Sequence, residues 1–289
     1  MRRTWIFALV LLVAWGCDSG RLGADDDADA DGDADADGDS DGDGDSDTDA
    51  DSDADADADG DGDGDGDGDA EIDPPLGGSS GGAGGGAANG EARQTGDLVE
   101  YRLIVPGSYR EGSPNGLMIV FSGTEGGATM TSNLQSLAGM TGNGDLIFAV
   151  LDGADYFGDG SVGASVLDEV RAQYDVDNDR TYLLSESAGT RGGLQLGFHL
   201  RQSYFAAFWA NDVNASDAPE ANAALLGFAP WGNAGPGGDW PDAEAIVGAM
   251  RDAGYQIEEP APYDGAGSGS HGDPNQFIAA LEWFPGKSR

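Results

Sequence analysis

The chain has 289 residues, a formal net charge of −41 at pH 7 and only 13 Lys and Arg. Roughly half of its acidic residues fall between Asp25 and Asp73, a stretch without Lys or Arg, so the charge says little about any folded part. An acidic surface this poor in cations repels phosphate backbones and excludes nucleic acid as a partner.

In chain order, Arg2 and Arg3 form a positive start, and Trp5 to Trp15 is an apolar run too short to span a bilayer comfortably. Small Gly16 then precedes Cys17, the one cysteine of the chain, so no intramolecular disulfide can form. This arrangement resembles a bacterial lipoprotein signal, although Ala14 and Trp15 stand where such signals usually carry Leu and a small residue. The resemblance implies removal of residues 1–16 and lipidation of Cys17. The mature protein would then be extracytoplasmic, held at the cell envelope or surface by an N-terminal lipid anchor in the membrane.

Ala24 to Ala70 is nearly pure Asp alternating with Ala, Gly, Ser and one Thr. Without aromatic or large aliphatic residues it cannot offset the entropy of ordering, so a disordered tether stretched by like charge is expected. Fully extended, about 50 residues reach roughly 165 Å at ~3.3 Å each. The pieces "DADADG" (33–38) and "DGDGDSD" (41–47) resemble half of a calcium loop but lack the closing Glu and the flanking helices, which favours a solvated tether. "GGSSGGAGGGAANG" (77–90) reads as a flexible spacer. The expected organisation is therefore a leader (1–16), a lipidated N-terminus and disordered tether (17–91), and one domain (92–289), expected to be monomeric. At about 200 residues that domain has room for a sizeable core.

The domain alternates strand and helix signals. Strands are expected at 98–106, 116–123, 145–153, 180–186, 205–212 and 223–229. Helices are expected at 129–140, 164–174, 188–202, 242–254 and 274–284. Short apolar strands between amphipathic helices predict an α/β fold, a mostly parallel sheet with helices on both faces.

In such sheets sites lie at the carboxyl ends of strands. Ser187 falls there, in Ser185-Glu186-Ser187-Ala188-Gly189. Small residues on both sides suit the tight strand-to-helix turn of a nucleophilic serine, whose usual pattern is G-x-S-x-G. A serine needs a base, and the chain has two histidines. His199 lies about 18 Å along the following helix at ~1.5 Å per residue, too far to touch Ser187, and reads as a surface or packing residue. His271, in the Gly/Ser-rich loop before the last helix, can fold back over Ser187. Two distant histidines and an N-terminal cysteine offer no zinc spacing, and "GTEGG" (123–127) lacks the ending of a phosphate loop, so neither metal nor cofactor is expected. Trp209, Trp231, Trp240 and Tyr156 suit either a substrate pocket or the core.

The segment from Ser165 to Asn211 resembles the α/β-hydrolase group of polyhydroxybutyrate depolymerases and feruloyl or acetylxylan esterases. Tyr174, Val176, Asp177, Arg180, Tyr182, Ser187, Gly189, Phe205, Ala206 and Ala207 match that group's "YxVDxxRVYxxGxSxGG" stretch and its following "FAA". "LIVPGSY" (103–109), "GLMIVFSG" (116–123) and the "GSH" ending at His271 resemble further motifs of the group, so the likeness covers nearly all of 98–285. It implies an α/β-hydrolase-type sheet and a serine esterase acting on polyester or polysaccharide-linked esters. Ser187 would be the nucleophile, His271 the base, and the backbone N–H of Ala188 with one from Gly123 or Thr124 the oxyanion hole. Three positions depart: Ser185 replaces a Gly, Ser122-Gly123 replaces His-Gly, and "APWGNAGPGGDWP" (229–241) replaces the segment that supplies the acid. Asp239 is the first candidate for that acid, with Asp212 and Asp242 as alternatives. The departures also leave room for a decayed hydrolase fold serving as a binding or structural module.

Overall fold

The computed structural model describes residues 74–235, 240–258 and 271–289. The expected leader, Cys17 and the Asp-rich stretch lie outside the described residues. The described residues belong to one compact unit.

In chain order the elements are β1 (Ala88–Gln94), β2 (Glu100–Val105), β3 (Asn115–Phe121), α1 (Gly126–Leu137), β4 (Ile147–Leu151), α2 (Ser161–Gln173) and β5 (Val176–Glu186). There follow α3 (Thr190–Gln195), β6 (Ala207–Asn211), β7 (Trp231–Ala234), α4 (Trp240–Asp252), β8 (Gln256–Ile257) and α5 (Pro274–Trp283). The strands make one eight-stranded sheet in the order β1-β2-β4-β3-β5-β6-β7-β8. β2 pairs antiparallel with β1 and β4, and every pairing from β4 across to β8 is parallel.

Alternation along the central strands divides the core into two layers. Leu117, Ile119 and Phe121 of β3 join α2, α3 and α4 on one face through Val166, Leu194 and Ile246. Met118 and Val120 join α1 and α5 on the other through Leu134, Phe277 and Leu281. With both faces covered, the central strands bury nearly every side chain, which is why they read as unbroken apolar runs.

Three segments differ from expectation. Residues 77–90 are part of the fold and not a spacer. Ser80 N–H donates to the Val176 carbonyl at 2.8 Å and Gly84 N–H to that of Gln173 at 2.9 Å. A Cβ on Gly82 or Gly85 would stand 2.4 Å or 2.3 Å from atoms of Tyr174, so the glycines serve close approach to that buried residue. Residues 88–94 continue as edge strand β1, which moves the start of the fold ahead of residue 92.

Residues 223–229 do not form a strand. Asn222 caps a 3-10 turn by accepting from Ala224 N–H at 2.9 Å, Gly227 ends it at φ 77°, and Leu225 is 81% exposed. The strand comes later, as β7. The helix expected over 188–202 is α-helical only through Gln195, then widens to a π turn over Leu196–Leu200.

Candidate active site

β5 is extended through Glu186 (φ −138°, ψ 131°), and Ser187 then turns to φ 49° at the head of a 3-10 turn leading into α3. Among the described residues only Leu98, Ser187 and Asp212 combine a side chain with positive φ, and two of these three stand at this end of the sheet. Backbone strain of this kind persists where the surroundings hold it. Here the Thr190 hydroxyl donates to the Ser187 carbonyl at 2.7 Å. The strand ends also converge too closely for larger residues. A Cβ on Gly189 would lie 2.5 Å from the Ser122 carbonyl oxygen, and one on Gly153, beyond β4, 2.0 Å from the same atom.

Ser185 is accommodated because α3 presents Gly193 to it: a Cβ there would lie 2.6 Å from that of Ser185. A strained serine on a strand-to-helix turn, at the carboxyl edge of a sheet in this strand order, has the geometry of a nucleophile elbow. The fold is the α/β-hydrolase fold.

Its second feature is the histidine. Asp273 caps α5 by accepting from Asn275 N–H at 2.9 Å, with Pro274 in the first turn, and so fixes the chain just after His271. His271 Nε2 lies 2.6 Å from Ser187 Oγ. Ser187 is buried and His271 exposed.

Of the three carboxylates considered for the acid, Asp239 lies outside the described residues. Asp242 sits in the first turn of α4, where an acidic side chain favours the helix N-terminus. Asp212, directly after β6, is 2% exposed, adopts φ 47°, and accepts from Gly272 N–H at 2.5 Å. It is thus tied to the residue adjoining His271.

The expected oxyanion donors differ among themselves. Ala188 is buried on the elbow and Thr124 is exposed. Gly123 N–H already donates to Glu125 Oε1 at 3.0 Å. Ser122, in place of the expected His, donates to the Gly123 carbonyl at 3.2 Å and accepts from Gly153 N–H at 3.2 Å, joining the loops after β3 and β4.

Sequence reasoning missed two carboxylates beside the elbow. Glu186 is 3% exposed, and burial pushes its carboxyl well above the ordinary carboxylate range, with Glu125 and Asp212 adding like-charge repulsion. Burial also raises Glu125; backbone N–H donors, including Gly123, pull the other way, and Asp152 and Asp212 add to the rise. Their signal was a Glu inside each motif of small residues, "GTEGG" and "SESAG".

His199 stands apart, with Nε2 2.8 Å from Asp217 Oδ2 and Nδ1 3.0 Å from Glu220 Oε1, on an open cavity also lined by Arg191. Trp209 is fully buried against Trp283 and so belongs to the core. Trp231 lies under Lys287, whose Nζ is 4.4 Å from its ring centre. Tyr156 packs on the core and accepts from Glu100 N–H at 2.7 Å. Trp240 opens α4. Among the described residues no group of three or more His, Cys, Asp or Glu is placed to hold a metal ion, and no helix is long and apolar enough to cross a membrane.

No family model and no curated protein sequence matches the chain. Solved α/β-hydrolase structures are similar in fold. A thermostable esterase is 15% identical with a TM-score of 0.49 over 69% of this chain and 63% of its own. A feruloyl esterase module from Clostridium thermocellum, complexed with sinapinate, is 13% identical with a TM-score of 0.47 over 68% and 87%. A poly(3-hydroxybutyrate) depolymerase from Bordetella parapertussis is 14% identical with a TM-score of 0.47 over 71% and 92%.

Proposed function

We propose that the chain is a serine hydrolase of carboxylic esters, with Ser187 as nucleophile and His271 as base. The observation that carries this reading is the 2.6 Å contact between Ser187 Oγ and His271 Nε2 at a strained elbow. In the tautomer that accepts at Nε2, the imidazole takes the Ser187 proton as Oγ attacks the ester carbonyl. The tetrahedral intermediate collapses with loss of the alcohol, to which His271 returns the proton. Water then repeats the cycle on the acyl-enzyme and releases the acid. Asp212 takes the role first considered for Asp239: its tie to Gly272 holds the histidine loop, and its charge favours the imidazolium. Ala188 N–H supplies one oxyanion donor.

Polyester or polysaccharide-linked esters are the substrate class implied by the family resemblance of Ser165–Asn211. The leader over residues 1–16, followed by Cys17, supports an extracytoplasmic, lipid-anchored protein, and the domain is proposed to act as a monomer.

A second reading has an observation in its favour. Gly123 N–H is taken by Glu125, as expected of a hydrolase fold that has lost catalysis and serves as a binding module. Labelling of the folded protein by a fluorophosphonate decides between them. Labelling abolished by Ser187→Ala and by His271→Ala supports the esterase. A well-folded wild type that resists the probe refutes an activated serine.

A further inference from the structure

Glu125 does not occur in the triad logic, yet its carboxylate lies at the most sensitive point of the site. Oε1 accepts from Gly123 N–H at 3.0 Å. The place where a Gly123 Cβ would be is 2.5 Å from Glu125 Oε2 and 3.2 Å from Ser187 Cβ. The glycine thus leaves room for the carboxylate to stand beside the nucleophile, on a donor the developing oxyanion requires. Resting on the esterase reading, we infer that Glu125 gates the oxyanion hole: its carboxylate closes the Gly123 limb while charged, and the limb opens when the carboxyl is protonated or swings away.

The electrostatics follow from the neighbours. Glu125 faces Asp152 from the loop after β4, Asp212 from the end of β6 and Glu186 from the end of β5, with His271 next in line beyond Ser187. A charged Glu125 would set a further negative charge against an oxyanion forming on the ester, whereas backbone donors stabilise that charge. Asp152 also fixes the loop, accepting from Gly127 N–H at 2.9 Å, so the gate moves as a side chain on a held backbone.

The sign of the pH dependence is definite. Ionisation of Glu125, which burial displaces upward from the ordinary carboxylate range, lowers activity as pH rises.

The test is kcat/KM on p-nitrophenyl acetate from pH 4.5 to 9, with fluorophosphonate labelling in parallel. The full-length wild type is compared with Glu125→Gln, Glu125→Ala and Ser187→Ala. The expected result is that Glu125→Gln and Glu125→Ala both raise kcat/KM at pH 8, Glu125→Ala by about tenfold or more, and that both label at Ser187 faster than wild type. A single oxyanion donor is worth about 10²–10³ in rate, so freeing one is readily seen. Unchanged kcat/KM at pH 8 and unchanged labelling rates in both variants, with Ser187-dependent hydrolysis intact, would overturn the gate and leave the esterase standing. Loss of labelling in a folded Glu125→Gln would overturn it too. Absence of labelling in every form would remove the esterase and the gate together.

Discussion

Single residues at the elbow carry chemistry and strain in opposition. Asp212→Asn keeps the shape of the side chain that accepts from Gly272 but removes its charge, so the protein should fold while kcat falls by about 10³–10⁴ in a steady-state ester assay. The same change at Asp242 should leave kcat within about twofold, since that residue serves the first turn of α4. Glu186 behaves otherwise, because its cost falls on stability. Its carboxyl holds a proton more tightly folded than unfolded, so this contribution is most favourable below the ordinary carboxylate value of about 4.3 and declines as pH rises from there towards the folded value. Glu186→Gln should therefore raise the urea midpoint at pH 8, by an amount on the order of 1 kcal/mol in stability, and change it less at pH 5. An equal shift at both pH values would show that the effect is packing and not charge.

At the scale of elements, periodicity was informative where burial was complete. β3, β4 and the stretch Tyr182 to Leu184 of β5 are apolar because helices cover both of their faces, and their signals stood out in the sequence. β8 is two residues long and has no periodicity to read. The Gly-rich stretch at 77–90 misled because composition reports side-chain burial, whereas these residues attach through backbone hydrogen bonds and by fitting around Tyr174. Ser187 and His271 were legible because their chemistry needs a turn and a loop of small residues. Glu125 was not, since its place depends on how the loop after β3 closes on its own amide. A chain beginning at Ala92 should accordingly lose stability relative to one beginning at Pro74, through exposure of Tyr174 and loss of edge strand β1. A melting temperature lower by several degrees would show it, and equal melting temperatures would mean that the segment contributes nothing.

For the whole molecule, the leader leads to an expectation about location: Cys17→Ser should move the protein from the membrane to the soluble fraction without altering labelling at Ser187. The folded unit adds a directional consequence. Arg289 donates to the carbonyls of Pro74 and Pro75, and Gly77 N–H donates to Asp179, so the chain enters the domain beside the first half of β5. Ser187 follows the last residue of the same strand. Between Asp179 and Ser187 an extended strand advances about 26 Å at ~3.3 Å per residue. The entry of the chain and the proposed nucleophile therefore lie towards opposite ends of one strand. Under the esterase proposal, an ester is met at the end of β5 away from the point where the chain enters the fold.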